Sequence, residues 1–183
     1  MTTSIFDITH QVEQADARCQ EVKIITIDGP AGAGKTTLAR TLSTKLDDCP
    51  VISMDSLYNG WQDALKPELW QRIYDQILEP YLLDKSASIQ IFDWTLNQFT
   101  NWTTLPASPH LIIEGVGASH PFIANSSVLN IWIEADEELL LDRVLRRDGE
   151  QLRDAMVQWQ LDEKVYFAEH SIKENADIHF SGM

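Results

Sequence analysis

The sequence predicts an α/β fold: a parallel five-stranded sheet with helices on both faces. Three observations carry that expectation. Short apolar, β-branched runs alternate with segments of helical periodicity. A glycine-rich turn, Gly29-Pro-Ala31-Gly32-Ala33-Gly34-Lys35-Thr36, follows the first run and opens a helix. It matches G-x-x-x-x-G-K-[ST] in full, in the strand–loop–helix context of a phosphate-binding loop. The 183 residues suit one domain, and no repeat, linker or low-complexity segment divides them. The class is therefore the P-loop NTPase fold, with 1–183 as a single domain.

The elements follow in order. Residues 1–21 are polar with a weak helical pattern at Ile5, Ile8 and Val12 and form a leading helical segment. Val22–Asp28 is the first strand. Lys35–Leu46 is a helix with Leu38, Leu42 and Leu46 on one face, broken by Asp47-Asp48-Cys49-Pro50. Val51–Met54 is a short strand ending at Asp55, and 59–66 is a loop. Pro67 opens a helix of about four turns, with Leu69, Trp70, Ile73, Ile77 and Leu78 at helical spacing. Ser88–Trp94 is a strand and Asn97–Pro109 a polar, proline-marked loop. Leu111–Ile113 is a strand ending in Glu114-Gly115, and Val128–Ile133 is another. Asp136 caps a helix to Arg147, with acids in its first turn and arginines in its last, as the helix dipole favours. Residues 148–163 are polar and are expected to be a mobile lid. Lys164–Glu174 is helical and Asp177–Phe180 a final strand.

The loop carries the chemistry. Its glycines let the backbone curl so that N–H groups point at phosphate oxygens. The helix starting near Gly34 adds its positive end. Gly29, Ala31, Gly32, Ala33, Gly34, Lys35, Thr36 and Thr37 are the expected ATP-binding residues. Lys35 reaches the β- and γ-phosphates, and the Thr36 hydroxyl ligates Mg²⁺. ATP and Mg²⁺ are the expected cofactors.

Composition narrows the partners. The formal net charge is −14, which disfavours nucleic acid. The cations collect instead at Lys35 and at Arg143, Arg146, Arg147 and Arg153. No apolar run approaches a membrane span, and Met1–His10 lacks the pattern of a signal peptide. A cytoplasmic protein is expected, with Cys19 and Cys49 as reduced thiols. A homo-oligomer is left open.

Two carboxylates end apolar strands at the edge where open α/β sheets bind ligands. Asp55 reads as general base or orienter for an attacking hydroxyl, with a turn or cap residue as the alternative. Glu114 reads as a water-mediated Mg²⁺ contact, with a solvated strand end as the alternative. Asp93, between Phe92 and Trp94, suits a hydroxyl-rich, ring-bearing acceptor or an ordinary edge strand. One functional arginine is expected among Arg143, Arg146, Arg147 and Arg153, for charge on the transferring phosphoryl group. The five histidines lack zinc spacing, and His120 alone is expected near the pocket. Trp70 and Trp132 suit the core. Trp61, Trp94 and Trp102 fall in pocket-side segments, and Trp159 in the lid.

The run Ile27-Asp28-Gly-Pro-Ala-Gly-Ala-Gly-Lys-Thr-Thr resembles the loop of small-molecule kinases, notably the uridine kinase and phosphoribulokinase-like branch. Ser53-Met54-Asp55-Ser56-Leu57-Tyr58, Ile91-Phe92-Asp93-Trp94, Leu111-Ile-Ile-Glu114-Gly115 and Asp142-Arg143-x-x-Arg146-Arg147-Asp148 are similar to segments of that branch, in the same order. The resemblance implies Asp55 at the acceptor hydroxyl and Tyr58, Asp93 and Trp94 as substrate contacts; His120, by its place after the Glu114 strand, is expected to join them. It implies Glu114 near Mg²⁺, Arg143 at ATP and Arg147 in a lid. Lys35, Asp55 and Arg147 would then be catalytic. Ser56 departs from the branch, which often has a second acid there. Asp28-Gly-Pro is also similar to cytidylate kinases, which would make the acceptor a nucleoside monophosphate.

The acceptor's charge can be read without the family. Between Thr41 and Ile113 the only cations are Lys45, Lys66, Arg72 and Lys85. A monophosphate needs a cationic clamp, usually of arginine forks. A neutral nucleoside- or sugar-like alcohol is expected as the small-molecule acceptor. The rival from another class is a P-loop ATPase or switch acting on a protein partner.

Overall fold

The structure is a computed structural model that describes residues 4–18, 21–61, 64–83 and 85–181. Its centre is a five-stranded parallel sheet in the order β2-β5-β1-β6-β7. The strands are β1 (Lys23–Asp28), β2 (Val51–Ser53), β5 (His110–Glu114), β6 (Ser127–Glu134) and β7 (Ile178–Ser181). β1 lies mid-sheet, with Ile27 opposite Glu114 on one side and Ile131 on the other. The expected fold class is the one found.

Strand side chains alternate between the faces, so each strand feeds two cores. Ile24, Leu111, Ile113 and Trp132 face one side, where α3 (Pro67–Ile73), α5 (Pro121–Ala124) and α7 (Arg153–His170) cover them. Ile25, Ile27, Ile112 and Ile131 face the other, under α1 (Ile5–Gln14) and α2 (Lys35–Lys45). Leu140 of α6 (Glu137–Asp148) closes the second core. The leading segment thus docks by Ile8 and Val12. It starts at a Ser4–Asp7 capping box, and Lys23 Nζ donates to the Val12 and Glu13 carbonyls at its end.

The expected four-turn helix runs from Pro67 through a π-turn at Tyr74–Leu78 into α4 (Glu79–Leu82). Pro80 has no N–H to give a regular ladder, which accounts for the irregular turn. The α6 helix agrees with its charge pattern, and the Asp136 carboxylate accepts from Glu138 N–H at 3.0 Å.

Two expectations are corrected. Residues 97–109 are not a loop throughout. Gln98–Leu105 form β4, which pairs antiparallel with β3 (Ala87–Asp93) as a hairpin outside the main sheet. The Thr- and aromatic-rich run supplies strand formers, and Asn97 takes the positive φ of 50° in the turn. The helix expected over Lys164–Glu174 starts earlier, within the polar segment 148–163. Gly149, at φ 106°, ends α6, a 3₁₀ turn spans Glu150–Leu152, and α7 then runs unbroken to His170. Met156, Trp159, Glu163, Tyr166 and Phe167 are its buried positions, so its polar residues lie around a strongly buried stripe. Cys19 lies outside the described residues. Cys49 is buried and forms no disulfide, and burial pushes its thiol up to about 11.

Candidate active site

The carboxyl ends of β1, β2 and β5 open onto one cavity of about 630 Å³. Its phosphate-loop end is built from backbone. Gly32, Gly34, Lys35, Thr36 and Thr37 line it. Gly32 stands at φ 84°, where an added Cβ would lie 2.6 Å from the Leu140 carbonyl oxygen. Gly34, at φ 99°, caps α2, and a Cβ there would meet open space. The loop is therefore a concave cradle at a helix N-terminus, the geometry that binds phosphate. Lys35 is largely buried, and its Nζ donates to the Gly29 and Pro30 carbonyls at 2.7 and 2.9 Å. Gly29 and Ala33 lie beneath the lining, and Ala33 N–H donates to the Pro30 carbonyl at 3.1 Å.

Asp28 anchors the loop from below. It is fully buried and accepts from the amides of Gly29, Gly117 and Ser119 at 2.8, 3.2 and 2.9 Å. Burial still pushes its carboxyl up to about 6, against those amides and Lys35.

The Thr36 hydroxyl donates to Glu114 Oε1 at 3.1 Å. Glu114 is 3 % exposed, and burial raises its pKa while Lys35 opposes the rise. This pair of hard oxygen donors fits Mg²⁺. Among the described residues no group of three or more His, Cys, Asp or Glu could hold a metal. A cation here would complete its shell with water and phosphate oxygens, as Mg²⁺ usually does.

Asp55 stands on a 3₁₀ turn, Met54–Ser56, just past β2, and lines the same cavity. It opens to solvent across the mouth, yet the walls enclose it. That enclosure raises its pKa, and the Lys35 ammonium and Arg147 guanidinium pull it back. Of the four arginines, the cavity takes Arg143 and Arg147. Arg147 pairs with Asp148 at 2.7 Å, and its charge reaches Asp55 and Glu114. Arg146 points away to Asp142 at 3.0 Å, and Arg153 pairs with Glu150 at the surface.

The far end of the cavity is built from aromatic side chains. Tyr58, Trp61, Trp94 and Trp159 line it. Trp61 lies 4.9 Å from Trp94 and 5.7 Å from Trp159, and Tyr58 lies 5.5 Å from Trp159, centroid to centroid. The Trp94 indole donates to the Asp55 carbonyl at 2.9 Å, which ties the hairpin to the Asp55 turn. The buried Tyr58 hydroxyl donates to the Val116 carbonyl.

Asp93 and His120, expected as substrate contacts, are not brought to the cavity lining. The Asp93 carboxylate turns back to accept from Thr95 and Leu96 N–H, at 2.8 and 2.9 Å, and shapes the hairpin turn. The His120 ring stacks on Trp70 at 4.0 Å, where burial pushes its pKa down to about 4. Trp102 is exposed on the hairpin's outer side. Sequence reasoning placed Trp159 only in a lid and missed Glu163 entirely. The signal was present: positions 159, 163, 166 and 167 follow helical spacing, and a lone acid sits among aromatics.

Residues 25–158 match a protein family described as AAA domain. The chain belongs to the AAA domain family. The chain is 25 % identical over 146 residues to uridine kinase of Schizosaccharomyces pombe, covering 70 % of this chain and 32 % of that protein. It is 28 % identical over 128 residues to cytidylate kinase of Archaeoglobus fulgidus, covering 70 % of this chain and 63 % of that one. The chain thus spans about a third of the first relative's length and under two thirds of the second's. The fold of a possible uridine kinase from Bacillus stearothermophilus superposes with a TM-score of 0.67 at 16 % identity, covering 96 % of each chain. The P-loop kinase-like fold and the resemblance to uridine kinases both stand. Among the described residues no helix is long and apolar enough to cross a membrane.

Proposed function

We propose that this chain is a Mg²⁺- and ATP-dependent kinase that transfers the γ-phosphoryl group to a hydroxyl of a neutral nucleoside- or sugar-like acceptor. One observation carries the reading. A single cavity has a phosphate cradle at one end, an aromatic pocket at the other, and the Asp55 carboxylate among its lining residues. Lys35 and the loop amides would hold the phosphates, and on nucleotide binding the Lys35 ammonium would leave its carbonyl partners for phosphate oxygens. Thr36 and Glu114 would hold Mg²⁺, which supplies charge neutralisation between the phosphates. Asp55 orients the acceptor hydroxyl and takes its proton as the oxygen attacks phosphorus. Arg143 and Arg147 face the developing charge. Positioning and electrostatics then carry the catalysis.

Residues 148–163 would still act as a lid, now made of the turn after α6 and the first part of α7. Gly149, in a conformation open to glycine, is the natural hinge. Closure would exclude water from the phosphates and limit hydrolysis.

The cytidylate kinase relative favours a nucleoside monophosphate acceptor as a second reading. Against it, the aromatic end has no cation of its own. The cavity's cations, Lys35, Arg143 and Arg147, come from the loop and from α6. The test is ADP release with Mg²⁺-ATP in the presence of uridine, cytidine, CMP, UMP and a panel of sugars. Stimulation by a neutral alcohol supports the proposal. Stimulation by CMP or UMP alone selects the monophosphate reading. Stimulation by none of them, with slow basal turnover, points to the ATPase or switch.

A further inference from the structure

Glu163 is outside the cavity lining, on the inner face of α7, and is 1 % exposed. Its carboxylate accepts from Ala31 N–H, with the two oxygens at 3.3 and 3.1 Å. Trp159 stands one helical turn earlier on the same buried stripe of α7. Ala31 belongs to the phosphate loop. Trp159 belongs to the aromatic wall and touches both Tyr58 and Trp61. One carboxylate therefore fixes to the phosphate loop the helix that carries part of the aromatic wall.

Seating a helix does not by itself call for an acid. A buried carboxylate is costly, and apolar residues of similar volume often serve as well or better. Here the cost is visible: burial pushes Glu163 up to about 7, and the nearby Asp28 carboxylate adds to the rise. The Lys35 ammonium lowers it, but makes its hydrogen bonds to loop carbonyls instead. What the acid does is grip a loop amide. An anion entering the cradle draws on the same loop's amides and on Lys35. Any loop adjustment at Ala31 then pulls on α7 at Glu163, one turn from Trp159.

We propose that Glu163 is a positioning residue that couples nucleotide occupancy of the phosphate loop to the placement of Trp159 against the acceptor. The inference rests on the kinase reading for its acceptor half, but its nucleotide half stands without an acceptor. Coupling between two sites is reciprocal, and factors of about 5 to 150 are typical. Wild-type protein with a non-hydrolysable ATP analogue and Mg²⁺ should bind uridine about 10-fold tighter than protein alone. In E163A that ratio should fall to about 1, with uridine affinity in the absence of nucleotide little changed.

The second readout is tryptophan fluorescence on adding Mg²⁺-ADP, with the share of Trp159 obtained by difference from W159F. That share should be present in wild type and lost in E163A. If E163A does not fold, E163D carries the uridine test, since it keeps the acid but shortens its reach to Ala31. Its coupling ratio should also fall to about 1. A folded E163A that keeps the Trp159 response, or an E163D with wild-type coupling, overturns the proposal. So does a variant whose only change is a lower melting temperature. Failure to phosphorylate uridine, cytidine or any member of the sugar panel, with the Trp159 response intact, overturns the kinase reading instead and leaves the nucleotide half standing.

Discussion

The two ends of the cavity are built from different materials. The phosphate end is backbone: a contiguous loop between β1 and α2, shaped by glycines and anchored by Asp28. The aromatic end is side chain: Tyr58 and Trp61 follow the Asp55 turn, Trp94 comes from the hairpin and Trp159 from α7. A backbone cradle needs local φ/ψ angles and little else. A side-chain pocket exists only after separate elements have packed. The first end should therefore be intolerant of change and general in what it binds. The second should tolerate substitution and set selectivity.

That contrast can be broken by experiment. The largest effect is expected where the ends meet. D55N keeps the side chain's shape but removes the base, so acceptor phosphorylation should fall by about 10²–10⁴-fold while ATP binding stays near normal. A fully active variant would move the catalytic centre elsewhere. At the phosphate end, K35A should lose about 10²–10³-fold in turnover with the fold intact, by analogy with removing one preorganised charge donor. Circular dichroism and ATP turnover on the same sample check both halves of that statement.

The aromatic end should respond more gently and in a different parameter. W61A or W94A each removes a ring contact worth about 0.5–1.5 kcal/mol. Acceptor KM should rise about 2- to 12-fold with the KM for ATP unchanged, since 1.36 kcal/mol is a factor of ten. An equal rise in both KM values would mean that the two ends are one rigid unit and that the contrast is misplaced.

The smallest effect concerns pH. Glu163 is raised from an ordinary 4.5 to about 7 by burial, so the folded state holds its proton more tightly than the unfolded chain. Its contribution to stability is full below about 4.5 and is lost as pH rises through about 7. E163Q cannot ionise, so its melting temperature should change less between pH 5 and pH 8 than that of wild type. Asp28, raised to about 6, acts in the same direction and leaves a residual slope in the variant. An unchanged profile in E163Q would show that Glu163 stays ionised across this range.

The legibility of the site follows the same division. Gly32, Gly34, Lys35 and Thr36 were readable because their place in the loop depends on sequence neighbours. Asp55 and Glu114 were readable because each ends an apolar strand, and strand ends collect at one edge of a parallel sheet. Asp93 was misread for a physical reason. A carboxylate at the end of a strand can serve a ligand or its own turn, and here two backbone amides claim it. His120 stood near the Glu114 strand in sequence, but Trp70 offers its ring a stacking partner in the core. Residues 148–163 read as a polar segment and not as the start of α7 because a helix with a buried aromatic stripe and charges elsewhere has a composition like that of a loop.

By itself the sequence determined the phosphate cradle, the parallel sheet and the strand-end carboxylates. Each depends on local geometry: a glycine run that can adopt positive φ, apolar β-branched segments, and a helix start. Only the tertiary structure decided which of Arg143, Arg146, Arg147 and Arg153 face the cavity. It also set Trp159 against Tyr58 and Trp61 and brought Glu163 to Ala31. Those contacts join residues far apart in the chain, Glu163 and Ala31 being 132 positions apart. They form only when α7 packs across the sheet, because spacing along a chain does not encode which distant surfaces will meet.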